Sequence, residues 1–186
     1  EGNLSSSSTW GTETDGSGTT PNFNLNGQIY QVANRTSTDL GSSLTIQGAA
    51  SRLVVPAGVT LIVDQPLSAK LELQGNAEVQ LDHQTIPEFI SVSPTSTVYF
   101  NTVSTNIAAG QYGNVVLTGS GNKNFGAGET TIHGDLTVSG PVALKGAPGN
   151  TSKLTLHGNL EMYDTPGLLA ADNTLDLTLA NPTSQS

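Results

Sequence analysis

Apolar and polar residues alternate along this chain in short bursts, each closed by Gly, Pro or Asn. After Ile29, Tyr30 and Val32 come Leu44–Ile46, Leu53–Val55, Val59–Val63, Leu71–Leu73, Val79–Leu81, Val98–Phe100, Val115–Leu117, Leu136–Val138, Val142–Leu144, Leu154–Leu156 and Leu175–Leu179. A period of two in β-branched and leucine-rich segments predicts half-buried strands, because successive side chains on a strand point to opposite faces. No window sustains the 3.6-residue period of an amphipathic helix, and Gly167–Asp172 is long enough only for a single helical turn. The pattern predicts an all-β protein.

The bursts also repeat in register. LTIQG at Leu44–Gly48, LELQG at Leu71–Gly75 and LTVSG at Leu136–Gly140 are variants of one phrase. The longer segments Ile132–Gly140 and Leu156–Asp164 match position by position: Ile132 with Leu156, His133 with His157, Gly134 with Gly158, Leu136 with Leu160 and Val138 with Met162. An antiparallel β-sandwich also yields short strands at close spacing, and it is the alternative architecture. The repeated register of apolar and glycine positions, with an offset of 24 throughout the long pair although the shorter phrases recur irregularly, favours a single-domain parallel β-solenoid, whose stacked coils place equivalent residues one strand spacing apart. The chain has room for about seven to nine coils of roughly 20 to 25 residues. Residues 1–22 read as a polar leader or cap, 23–174 as the repeat body, and 175–186 as a terminal strand and tail. The large rings of Trp10 and Phe23 favour a cap, since such side chains seal the open end of a solenoid.

Charge narrows the partners. Six basic residues against fifteen acidic ones give a net charge of −9, and Arg35, Arg52, Lys70, Lys123, Lys145 and Lys153 stand singly. No cluster of cations offers a footprint for phosphates, so nucleic acid and anionic membranes are poor partners. The absence of cysteine removes disulfides and thiolate metal sites. No apolar run approaches the roughly 20 residues that span a bilayer, which argues against membrane insertion, and no charged-then-apolar signal segment opens the chain. An exported protein would then begin at a processed Glu1. A surface rich in Ser, Thr, Asn and Gly suits an extracellular location.

Candidate chemistry is sparse. Asp82, His83 and Glu88 are the densest ionisable group, but adjacent strand residues face opposite ways, and a solvated turn beside Pro87 is the simpler reading. No G-x-S-x-G elbow is present, and Gly119–Gly121 has the spacing of neither an elbow nor a phosphate loop, so no enzyme is expected. His133 and His157 occupy matching repeat positions, where stacking would bring the rings close enough for one metal ion; the plainer reading is two outward side chains beside turn glycines. Glu13 and Asp15–Gly18 lack the alternating oxygen ligands of a calcium loop. No metal or other cofactor is therefore expected. Trp10, Tyr30, Tyr99, Tyr112 and Tyr163 are the aromatic platforms available to a glycan, and they are dispersed.

Gln111–Gly126, followed by Thr130–Val138, resembles a phrase common in large type IX-secreted bacterial surface proteins, and Ser7–Thr12 with Asp15–Gly18 and Pro21–Phe23 looks like the start of the same kind of module. The resemblance covers about two-thirds of the chain, and its specificity is moderate because β-repeats of low complexity converge. It implies an exported, solenoid-like module at the cell surface, an adhesin or a structural part of the envelope. Such proteins are usually longer and end in a sorting domain, so the chain is expected to be a fragment or a compact subunit. A solenoid carries unpaired strand edges at both ends, and uncapped edges pair with other molecules. Trp10 at the start and Leu175, Leu177 and Leu179 at the end are the candidate assembly residues, the last three either staying in their own body or adding to a neighbour. Head-to-tail contact of this kind does not close and builds a filament. Two readings follow: a self-associating structural filament or envelope subunit, and an adhesin module that recognises a glycan or a surface protein.

Overall fold

The structure is a computed structural model, and it describes residues 3–13, 15–33, 35–164 and 175–180. The chain divides into two compact units, Glu1–Ser93 and Pro94–Ser186. Among the described residues the only helical element is one short 3-10 turn, Ser7–Thr9, and every strand pairing is parallel. Parallel pairing throughout is incompatible with the antiparallel sandwich and is what stacked coils require. Each unit is a parallel β-solenoid.

In the first unit the chain runs through β1 (Ile29–Gln31), β2 (Ser37–Asp39), β3 (Leu44–Thr45), β4 (Arg52–Val55), β5 (Thr60–Val63), β6 (Leu67–Ser68), β7 (Lys70–Leu73), β8 (Glu78–Leu81) and β9 (Glu88–Val92). Three faces result: β1, β4, β7 and β9 stack on one, β2, β5 and β8 on the second, β3 and β6 on the third. Coil length varies. Gln28 bonds Ser51 across an interval of 23 residues, whereas Thr60 bonds Glu78 across 18. Leu53, Val55, Leu61, Val63, Leu71, Val79 and Leu81 fill the interior at 0% exposure. Arg52 Nε and Glu72 Oε2, 2.6 Å apart, tie adjacent coils on the outside.

The second unit runs through β10 (Thr97–Phe100), β11 (Thr105–Ile107), β12 (Gly110–Tyr112), β13 (Asn114–Leu117), β14 (Gly121–Phe125), β15 (Gly128–Ile132), β16 (Leu136–Ser139), β17 (Val142–Gly146), β18 (Ser152–Leu156), β19 (Leu160–Tyr163) and β20 (Leu175–Leu179). Here β10, β13, β16 and β19 form one face, β11, β14 and β17 another, and β12, β15, β18 and β20 the third. The coil lengthens along the unit, from the 17-residue interval joining Asn101 to Thr118 through 21 at Asn114 and Asp135 to 24 at Asp135 and Asn159.

Repeat matching at the sequence level is partly preserved. Ile132 stacks on Leu156, Leu136 on Leu160 and Val138 on Met162, as the long matched segments require. The shorter phrases do not stack on each other: Leu44 of LTIQG sits beside Leu67 on the third face, whereas Leu71 of LELQG sits beside Leu53 on the first. Every corner of a solenoid obeys the same local rule, apolar, polar, apolar and then a turn, so phrases at different corners look alike. Gly167–Asp172 lies outside the described residues.

Candidate assembly surface

The first coil of the first unit and the last coil of the second are finished differently. At the start of the first unit, residues 3–5 and 22–27 bond to the coil that contains β1 to β3. Ser5 N–H donates to Leu40 O at 3.2 Å, Gln47 N–H to Phe23 O at 3.0 Å and Gly27 N–H to Ala49 O at 2.8 Å. These bonds occupy edge groups that would otherwise stay open. The apolar side of the segment seals the interior. Leu4 is buried, and Trp10 lies edge-on to Phe23 and Tyr30 at centroid distances of 5.9 and 6.1 Å. Trp10 Nε1–H donates to Leu4 O at 2.7 Å, and the Tyr30 hydroxyl donates to Asn22 O at 2.9 Å. Burial pushes the Tyr30 phenol up in pKa. Beneath the cap, Tyr30, Val32, Leu40, Leu44 and Ile46 are all buried.

At the end of the second unit the ladders of inward residues run out. Phe100, Leu117 and Val138 are each 0% exposed, and the next member of that column, Met162, is 47% exposed. Leu156 is 0% exposed and its successor Leu179 is 45% exposed. Leu160, Leu175 and Leu177 occupy equivalent terminal positions, neither buried nor fully exposed. β20 stays in its own body, bonded along its length to β18, and the sheet order leaves its other edge, like that of β19, without a strand partner among the described residues. Glu161, Asp164 and Asp176 are exposed around this surface, as is Tyr163, whose hydroxyl donates to Glu161 Oε2 at 3.2 Å. That bond and the Glu161 charge raise the Tyr163 pKa.

Of the assembly residues expected from sequence, Trp10 therefore belongs to the cap, and Leu175, Leu177 and Leu179 to the open edge. Sequence reading missed Leu160 and Met162 as edge residues, although their pairing with Leu136 and Val138 was legible in the repeat.

The remaining candidates separate cleanly. Asp82 is exposed, His83 Nδ1 accepts the Thr85 N–H at 3.0 Å within a turn, and Glu88 opens β9. Asp15 Oδ1 accepts the Ser17 N–H at 2.9 Å, and hydrogen bonds from Ser17 hold this carboxyl below its ordinary pKa. Among the described residues no three His, Cys, Asp or Glu side chains converge as a metal site. Tyr30 and Tyr112 are buried, so two of the five dispersed aromatics cannot serve as glycan platforms. Compared with known proteins, the chain matches no family model, no curated protein and no solved structure.

Proposed function

We propose that this chain is a structural module of an extracellular surface, which associates with a second copy of itself through the last coil of its second unit. The observation that carries this reading is the jump in exposure along single columns, from 0% at Val138 to 47% at Met162 and from 0% at Leu156 to 45% at Leu179. An edge of this kind combines unpaired backbone groups with an apolar strip, the two things that strand addition satisfies. A second copy brings an edge of the same width and the same strip. With the first coil of the other unit bonded to residues 3–5 and 22–27, association joins last coil to last coil, in a two-fold contact that closes at two copies. A filament, the other form this self-association takes, requires the cap to be displaced first.

Sedimentation velocity across a wide concentration range, with negative-stain imaging at the top of that range, tests the reading. Self-association is expected in the native chain and its loss in Leu177→Lys with Leu179→Lys. A chain that stays monomeric throughout, or a double variant that associates as the native chain does, sinks the proposal.

A further inference from the structure

His133 and His157 are the second candidate site, one that the assembly surface leaves unused. They follow β15 and β18 directly, on the outward side, and both are exposed. Their rings stack at a centroid distance of 5.7 Å with 16° between planes. We propose that these two imidazoles form a binding site for one borderline transition-metal ion of the Ni²⁺, Cu²⁺ or Zn²⁺ class.

Geometry is the first support. Two imidazoles that bind one ion at about 2.1 Å, with a near-tetrahedral angle between them, place their centroids roughly 5 Å apart. The observed spacing lies close to that, and converging the lone pairs takes a turn about χ2 of two exposed rings, with the exposed Gln111 side chain moving along with His133. The backbone is already fixed. His133 N–H donates to Tyr112 O at 3.0 Å and His157 N–H to Ile132 O at 2.9 Å, so both Cα atoms are set by the ladder. The next residue is glycine in each case: a Cβ at Gly158 would run into the Gly134 carbonyl, and one at Gly134 into the Asn114 side chain. Beyond the glycines, Asn114 Oδ1 accepts from Asp135 N–H at 2.9 Å and Asp135 Oδ1 from Asn159 N–H at 2.7 Å, which locks the same corner in successive coils. A pair of ligands on rigid, registered backbone is preorganised for a shared ion.

Orientation is the second support. His133 Nε2 lies 2.6 Å from Gln111 Oε1. An amide oxygen only accepts, so Nε2–H donates, and in the neutral ring the lone pair is then on Nδ1, the arrangement by which a second-layer acceptor orients a metal-binding imidazole. The donor set selects the ion. Thr131 and Thr155 separate the histidines from the Glu129 and Lys153 pair, whose charged atoms lie 3.4 Å apart, and the Asp135 carboxylate is engaged by the Asn159 backbone and side-chain amides, so imidazole nitrogens are the donors on offer and nitrogen-preferring ions are favoured over Ca²⁺ or Mg²⁺.

The test is titration of the tag-free chain with NiCl₂, followed by calorimetry and by the histidine side-chain NMR signals. One ion per chain is expected to bind, with His133 and His157 perturbed together and His83 unaffected. His133→Asn and His157→Asn should each weaken binding at least tenfold, and Gln111→Leu should weaken it less. A nickel-dependent rise in melting temperature, present in the native chain and absent in both histidine variants, gives an independent reading, because an ion that binds only the folded state stabilises it. Absence of saturable binding, or binding that survives either histidine substitution, overturns the site.

Discussion

The first coil of one unit and the last coil of the other are both built from inward apolar residues, and they end in opposite ways. Under the cap, Val32 and Leu40 are 1% and 0% exposed, while Met162 and Leu179 at the open edge are nearly half exposed. The difference does not lie in the strands. It lies in what precedes them: a polar segment in which Leu4, Trp10 and Phe23 supply the apolar contacts while Leu25 stays exposed, yet which supplies backbone donors and acceptors along the coil. Closing a solenoid edge takes few side chains, provided the backbone edge is occupied at the same time.

The largest effect should come from undoing the cap. Leu4 is 2% exposed, and Leu4→Ala is expected to cost about 3 kcal/mol by loss of burial and the cavity left behind. Adding Trp10→Ala removes both ring contacts and the bond to Leu4 O. Urea denaturation followed by tryptophan emission reads the single variant, and circular dichroism the double. Uncovering β1 to β3 also opens an edge in the first unit, so the double variant should pass from closed pairs to open-ended filaments under negative stain. Unchanged midpoints together with unchanged assembly would remove the cap from this account.

The interiors differ as well. In the first unit the buried polar side chains are Thr38 and Ser51, and Ser51 is fully engaged, donating to Leu25 O at 2.7 Å and accepting from Gln28 N–H at 2.9 Å. The second unit buries Lys123 at 0% exposure, its ammonium donating to Phe100 O and Thr102 O, and leaves the hydroxyls of Thr102, Thr105 and Thr130 without a protein partner. Burial pushes the Lys123 pKa down to about 8. The unfolded chain, with an ordinary lysine, therefore binds the proton more tightly than the folded one between about pH 8 and 10.5, and stability rises with pH across that window. Below pH 8 the cost is constant. Tyr112, whose pKa burial raises, acts the other way once unfolded tyrosines ionise near pH 10, so the rise should be clearest from pH 8 to 9.5. A gain of about 1 to 2 kcal/mol is expected over that range, and Lys123→Met should flatten it. An equally steep profile in the variant would show that Lys123 is not the cause.

How much of this was legible beforehand depends on the chemistry of each strand. Strands with Leu or Val at alternate positions declared themselves, as did the stacking of Ile132–Gly140 on Leu156–Asp164. β14, Gly121–Phe125, did not: its inward positions are Gly121, Lys123 and Phe125, and a lysine between asparagines reads as a loop. β2, β11 and β12 were missed for the same reason, since Thr38, Thr105 and Gly110 carry little apolar signal while their neighbours in the stack supply the burial. The histidine pair was visible as a matched position, whereas its orientation by Gln111 was not, because Gln111 and His133 come together only through the register of β12 and β15. Trp10 stood out in the sequence by its size alone, whereas its edge-on contacts with Phe23 and Tyr30 did not.

The smallest effect concerns the rim of the open edge. Glu161, Asp164 and Asp176 are exposed there, and a two-fold contact brings each set against its own copy. Like charges separated by a few ångströms in solvent oppose association by a fraction of a kcal/mol each, and salt screens them over a Debye length of about 10 Å at 0.1 M. Raising NaCl from low to moderate concentration should therefore tighten the pairing severalfold, and Asp176→Asn should tighten it at low salt while reducing the salt dependence. An open-ended polymer formed by the cap variant joins a first coil to a last one and so does not set these acids against their own copies; it should respond to salt less steeply than the closed pair. Sedimentation at two ionic strengths separates the cases. Association that weakens as salt is added would mean that opposite charges meet at the edge, which places a partner surface other than the last coil against it.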